Sequence, residues 1–331
     1  MIWLAFLACA ATIVFCGSKL SKYGDVIAEK TGLGGSLTGL VMLASVTSLP
    51  ELVTGISSVT YANTPDIAAG VLGSCVFNLF IFAAILDAIN QPLPISAKAS
   101  YSHILSASFG IILLSIVVFS LTLPEYNLPL KWVGSSSFAI AVIYFFSLRI
   151  MRSYEYRQMK RNLEQMADAL KYEDISTREA ALKYGANGLM VMTAAIFLPK
   201  LGEQIALATG LGEAFVGNIF IALVSSMPEV VVSVAAVRIG AVDMGIGNIF
   251  GSNIFNIFIL FIDDVFFLQG PLLSSVNPVH VIPGLAAILM SAVSIIGLAY
   301  KSCGKRMFWG QDSLVMMLIF IISTTLLYYH R

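Results

Sequence analysis

The chain has 331 residues, of which 58% are hydrophobic and only 11% are charged. Soluble domains carry about 25% charged residues, so the composition excludes a soluble globular protein and points to an all-α integral membrane protein. Lys plus Arg and Asp plus Glu balance at 19 each, which leaves no basic field of the kind nucleic-acid binding needs.

A helix needs about 20 apolar residues to cross the hydrocarbon core of a bilayer. Breaking the chain at its polar stretches predicts ten transmembrane spans, near 1–17, 36–61, 66–89, 101–122, 130–149, 184–207, 213–237, 242–267, 279–300 and 312–328. The first, MIWLAFLACAATIVFCGSK, has no basic leader and runs on toward a second apolar stretch. It reads as a retained membrane helix and not as a signal peptide. The one long polar stretch, 150–183, carries mixed charges at helical spacing and predicts a solvated linker helix. Cys9, Cys16, Cys75 and Cys303 lie in or beside apolar stretches with no CxxC pair, which argues against a disulfide framework or a zinc site.

Lys and Arg mark the cytoplasmic loops of a membrane protein. With the N-terminus outside, the inside loops hold 16 basic residues, from Lys19, Lys22 and Lys30 through the eight between Arg149 and Lys183 to Arg306. The outside keeps Lys131, Lys200 and Arg331. This split predicts a multi-pass protein of the cell inner (plasma) membrane, N-terminus outside, with the 150–183 linker cytoplasmic.

Sliding the chain on itself by 178 residues aligns 36–82 with 214–260, with 14 of 47 positions identical and no gap. The shared residues are mostly Gly, Ser, Pro, Glu, Asn and Ala, including Pro50/Pro228, Glu51/Glu229, Ser74/Ser252 and Asn78/Asn256. Chance likeness between apolar helices would instead share Leu, Ile and Val. The two copies predict two halves, 1–149 and 184–331, of five spans each. An odd number of spans turns the second half upside down, so the expected architecture is two inverted five-helix repeats. Inverted repeats mark secondary transporters, whose sites lie at the midplane on interrupted helices.

The paired motifs are TSLPE at 47–51 and SSMPE at 225–229. Each proline lacks the N–H that would reach the carbonyl four residues back, so carbonyls around Ala44 to Val46 and Ala222 to Val224 are expected to be freed. Thr47 and Ser48 share a helix face with Glu51, as Ser225 and Ser226 do with Glu229. On the following spans, Ser74 and Asn78, and Ser252 and Asn256, are four apart. Gly70, Gly73, Gly247 and Gly251 are expected to allow close helix approach. Gathered round a two-fold axis, these residues offer two carboxylates with hydroxyl, amide and carbonyl oxygens, a donor set for a hard cation such as Ca²⁺, which takes about 6–8 oxygen ligands. Two carboxylates balance one divalent or two monovalent cations, which points to exchange at a shared site.

These residues resemble the cation/Ca²⁺ exchanger superfamily, whose repeats carry G-T-S-x-P-E and G-N-x-x-G-S-N motifs. The resemblance covers nearly the whole chain. It implies Glu51 and Glu229 as central ligands, surrounded by Thr47, Ser48, Ser74, Asn78, Ser225, Ser226, Ser252 and Asn256 and the carbonyls of Ala44 and Ala222. It implies Ca²⁺ and Na⁺ as transported ions, no organic cofactor, and alternating access in which the first and sixth helices slide against the core. Val46 and Val224 stand where the motif has Gly, Ser225 where it has Thr, and Ala69-Gly70 where it has Gly-Asn. The leading expectation is Ca²⁺ export against Na⁺; the alternatives are H⁺ coupling or another divalent ion, and, less favoured, an ion channel. No HExxH or GxSxG motif suggests an enzyme. The expected partners are the cations and the bilayer; oligomeric state is not encoded legibly.

Outside the motifs, Asp87, Asp263 and Asp264 sit near span ends, where they would line aqueous entrances or mark the headgroup level. Asp263 is two helical turns beyond Asn256 and shares its face. Gly34-Gly35 and Gly210/Gly212 are candidate hinges. His103 and His280, single residues on apolar spans, read as packing residues.

Overall fold

In the computed structural model the described residues are 2–163, 172, 174–209, 225–301 and 304–329. They are nearly all helical. Eleven helices matter here: α1 (Ile2–Thr31), α2 (Gly35–Thr47), α3 (Leu49–Tyr61), α4 (Pro65–Ile89), α5 (Ser102–Thr122), α6 (Ser135–Leu163), α7 (Thr177–Thr209), α8 (Met227–Arg238), α9 (Val242–Phe266), α10 (Pro278–Tyr300) and α11 (Gln311–Tyr329). Among the described residues, eight helices are long and apolar enough to cross a membrane, or nine if the bent pair α2–α3 is one span. The chain is a multi-pass membrane protein.

Several expected boundaries move. α1 runs to Thr31 and not to about residue 17, and α6 continues to Leu163, well past 149. In both places the chain becomes charged while remaining rich in good helix formers, so the helix outlasts its apolar stretch. The seventh expected span, 213–237, lies partly outside the described residues, and α8 is its described part. Gly210, Gly212 and Ala222 also lie outside them.

The chain divides into two compact units, one of Met1–Pro50 and Arg152–Ile249, the other of Glu51–Met151 and Phe250–Arg331. Each unit therefore draws on both sequence halves. In the first, α1 packs against α7 and α8. Leu20, Leu43, Val232, Ala236 and Met244 form one wholly buried cluster there, and Ile13, Ala195 and Leu198 belong to another. The Ser21 hydroxyl, also buried, donates to the Val232 carbonyl at 2.8 Å. α2 and the start of α9 meet backbone to backbone. A Cβ on Gly39 would collide with the Met244 carbonyl, and one on Gly247 with the Ser36 carbonyl, so both positions require glycine.

In the second unit, α10 packs against α5, α4 and α11. At Gly73 nothing among the described residues lies within 4 Å of a Cβ built there, so no close helix approach is seen among them. At Gly70 a Cβ would meet only the Ile67 carbonyl of its own turn. A two-strand hairpin precedes α6, with Pro129 paired to Gly134 and Leu130 to Val133, a small departure from an all-α fold. His103 is buried and stacks on Phe250 at 6.2 Å between ring centroids. His280 lies 3.6 Å from Asp66.

Candidate ion-binding site

The two proline motifs adopt one backbone geometry. Ser48 has φ −91° and ψ 7°, and Ser226 has φ −84° and ψ 9°. At Ser48 the helix axis turns by 41°. The break therefore falls two residues before the proline, not at it. Pro50 and Pro228 sit in the first turn of the new helices α3 and α8, where a missing N–H costs nothing and the fixed φ suits the helix. The expectation of a freed Ala44 carbonyl is corrected: it accepts from the Ser48 backbone N–H at 3.0 Å and from the Thr47 hydroxyl at 3.4 Å. Proline still leaves the Val46 carbonyl without its usual donor.

Glu51 and Glu229 each lie in the first turn of their helix. The unsatisfied N–H groups and the positive end of the helix dipole favour a carboxylate there. Both are buried, at 8% and 1% exposure, in a place where ionisable groups are costly unless they function.

In the first compact unit the Ser48 hydroxyl donates to Glu229 Oε1 at 3.3 Å. The Thr47 hydroxyl donates to Asn248 Oδ1 at 3.3 Å, and Asn248 Nδ2 donates to the Ser233 hydroxyl at 2.9 Å. Thr47, Ser48, Ser226, Ser233 and Asn248 are all buried, whereas Ser225 is half-buried. A hydroxyl and a carboxylate from the two motif copies thus meet directly, and Asn248 fixes the rotamer of Thr47. Ser233 had no signal of its own in the repeat, because Gly55 stands at the equivalent position.

In the second unit, α4 and α9 cross at Cys75 and Asn253, which are themselves 178 residues apart. Asn253 Nδ2 donates to the Cys75 carbonyl at 3.2 Å, and the Cys75 thiol points at the Asn253 carbonyl at 3.7 Å. Repeat-equivalent residues that bond each other reciprocally place a local two-fold axis between them. Asn78 Nδ2 donates to Asn253 Oδ1 at 3.0 Å, and on the other side of the axis Asn256 hydrogen-bonds the Cys75 side chain. Glu51 lies within electrostatic reach of Cys75. With their amide nitrogens so occupied, Asn78 and Asn256 turn their oxygens elsewhere. Asn78 Oδ1, Asn256 Oδ1 and Glu51 Oε2 are buried and have no hydrogen-bond partner among the described residues. Buried polar atoms are ordinarily paired, so three orphaned oxygens in one region are an arrangement whose chemistry suits a hard cation. Ser252 is buried and Ser74 half-buried on the same helices. Asn253 closes the G-S-N of the second motif copy, but its repeat partner is Cys75, so identity between the two copies does not mark it.

The sodium/calcium exchanger protein family model matches residues 1–151 and 184–329. The chain belongs to this family. Among its relatives is the sodium/calcium exchanger MaX1 of Methanosarcina acetivorans, 27% identical over 366 aligned positions and covering 99% of this chain and all of that one. The inner membrane protein YrbG of Escherichia coli K12 is 27% identical over 252 positions, covering 75% of this chain and 74% of its own. In fold, the chain matches the solved sodium-calcium exchanger NCX_Mj soaked with Na⁺ and Ca²⁺, with a TM-score of 0.71, 19% identity, and coverage of 98% and 97% of the two chains. The same exchanger soaked with Na⁺ and Sr²⁺ gives 0.72 at 20% identity.

Asp87 and Asp264 line no entrance. Both are fully buried and occupied by backbone donors. Asp87 accepts from Ile95 N and Gly310 N, each at 2.7 Å; Asp264 accepts from Leu272 N at 2.7 Å and Gly134 N at 2.8 Å. In each case one bond caps a four-residue helix and the other caps the start of a long helix, α11 or α6. Asp87 follows the first motif and holds the last helix of the chain. Asp264 follows the second motif and holds α6. The sequence signal was the pair KWVG at 131–134 and MFWG at 307–310 just before those helices.

Proposed function

We propose that this protein is a secondary antiporter that exports Ca²⁺ in exchange for Na⁺ by alternating access, with ten spans in two inverted repeats and the N-terminus outside. Glu51 and Glu229 are its central cation ligands. The hydroxyls of Thr47, Ser48, Ser225, Ser226, Ser74 and Ser252, the amide oxygens of Asn78 and Asn256, and the carbonyls of Ala44 and Ala222 complete the oxygen set. The observation that carries the reading is the trio of orphaned buried oxygens on Glu51, Asn78 and Asn256, in a chain of the sodium/calcium exchanger family. MaX1 and NCX_Mj, both named as sodium/calcium exchangers, support Na⁺ as the exchanged ion. Ala44 serves once the Thr47 hydroxyl, whose contact with its carbonyl is long at 3.4 Å, turns wholly to Asn248; the Ser48 N–H keeps the other lone pair.

An oxygen shell with two carboxylates suits Ca²⁺ better than Mg²⁺, which keeps a small octahedron and its waters. Charge balance explains exchange: once Ca²⁺ leaves, two buried carboxylates cannot stay bare, so monovalent ions must replace it. The test is Ca²⁺ flux in proteoliposomes under an imposed Na⁺ gradient. Wild type is expected to take up Ca²⁺ against that gradient. Glu51→Gln and Glu229→Gln each remove one of the two charges and are expected to abolish the flux. Normal flux in either variant would remove that residue from the site.

A further inference from the structure

Asp263 is a second kind of buried acid, and the antiporter reading does not use it. It is fully buried on α9, and neither carboxyl oxygen has a hydrogen-bond partner among the described residues. Its neighbour Asp264 shows what a satisfied carboxylate looks like on the same helix turn, with two backbone N–H groups at 2.7–2.8 Å. The space for Asp263 is provided by α3. A Cβ on Gly55 would overlap both carboxyl oxygens, so the acid is pressed against bare backbone. Gly55 is four residues after Glu51 and so lies on the same helix face. Asp263 is two turns beyond Asn256 on the face that residue shares. The acid thus lies about one helical turn, roughly 5–6 Å, along α3 from the Glu51 position.

An ionised carboxylate without donors in a dry site is very costly; in practice such a group takes up a cation or stays neutral. A metal ion needs several further oxygens, about 6–8 for Ca²⁺, and the closest part of α3 presents a glycine. A proton needs one oxygen and no added volume. We propose that Asp263 is a proton-binding carboxyl whose loading and release accompany transport, one proton on one carboxyl oxygen passing to the aqueous phase and back. Other ionisable groups face it as follows. Glu51 lies one turn away on α3. Asp264, on its own helix, is turned to Gly134 and Leu272. Lys131 sits on the hairpin that Trp132 anchors to the Val265 carbonyl at 3.0 Å, and its side chain is exposed.

This inference rests on the antiporter reading and adds the proton to its exchanged ions. The test follows Ca²⁺ uptake and lumenal pH together in proteoliposomes, with Na⁺ absent and then present. Ca²⁺ uptake by wild type is expected to drive proton movement in the opposite direction. Asp263→Asn is expected to lose that proton movement to the level of empty liposomes, while Glu51→Gln loses Ca²⁺ uptake as well. Proton counterflow that survives in Asp263→Asn, or a variant that loses only Na⁺ dependence, would overturn the proton assignment. Wild-type Ca²⁺ uptake that is abolished by Glu51→Gln but moves no protons would overturn it while leaving the antiporter reading intact; no cation flux in any gradient would overturn that reading instead. If Asp263→Asn does not fold, infrared spectra of wild-type protein carrying ¹³C-aspartate decide the matter. A protonated-carboxyl band shifted by the label is expected from Asp263, whose two carboxyl oxygens find no donor among the described residues. Absence of such a band at every pH tested would sink the proposal.

Discussion

The two ends of the second unit carry the same clamp with different electrostatics. At one end Asp87 caps the starts of a short helix and α11; at the other Asp264 caps a short helix and α6. Each clamp has a tight turn with its first central residue at positive φ, Lys131 at 66° or Met307 at 61°. Each has an indole N–H donating to a carbonyl near the end of the opposite helix: Trp132 to Val265 at 3.0 Å and Trp309 to Ala84 at 2.9 Å. The difference is a cation. Lys305, 4% exposed, lies 3.3 Å from Asp87 and donates to the Asn90 carbonyl at 2.9 Å and to that of Asp87 itself. No Lys or Arg is paired with Asp264 among the described residues. A buried aspartate can thus be held at a helix start either by N–H groups and dipoles alone or with a full counter-charge, and the two designs should fail differently.

Lys305→Met tests the first design and carries the largest expected effect. Removing one partner of a buried pair strands the other and costs about 3–5 kcal/mol. A large fall in the thermal unfolding midpoint in detergent is expected, and Asp87→Asn added to Lys305→Met should restore part of it, since the two effects share one interaction. If Lys305→Met unfolds like wild type, the ion pair is not what holds α11. Asp264→Asn tests the second design. It keeps one acceptor but turns an amide N–H toward a backbone donor, a loss of about 1–3 kcal/mol. Asp87→Asn alone should cost more than Asp264→Asn, because only the former strands a lysine. Equal effects would mean that Lys305 adds nothing to the helix caps.

What could be read from sequence divides along physical lines. Eight of the expected spans were legible because apolar length is a property of one segment, and the pairing of the Glu51 and Glu229 motifs because both copies kept the same residues. The clamps were not, since Asp87 finds its donors 8 and 223 residues away, and nothing local to Asp87 encodes Gly310. The position of the helix break was also missed. Proline suggested a kink at Pro50, but a proline fits the first turn of a helix better than its interior, so the turn moved back to Ser48. Asn253 and Cys75 show the limit of matching by identity: the two residues nearest the local axis are the ones that differ. At an axis, equivalent positions face each other, and an amide opposite a thiol and a carbonyl pairs where two identical amides would compete.

The smallest expected effect probes whether the clamps are equivalent once charge is set aside. Trp132→Phe and Trp309→Phe each keep the apolar ring and delete one N–H. The carbonyls of Val265 and Ala84 lose one acceptor bond, worth about 0.5–1.5 kcal/mol. Trp132 is 38% exposed and sits on a hairpin of two-residue strands, so water can replace its bond, whereas the Trp309 N–H bond is part-buried. The expected order is therefore a larger loss for Trp309→Phe, read as a difference in unfolding midpoint between the two variants prepared in the same detergent. A larger loss for Trp132→Phe would show that the α6 clamp, lacking a lysine, leans on its indole to a degree the α11 clamp does not. The missing counter-charge at Asp264 would then be offset by hydrogen bonding at the hairpin.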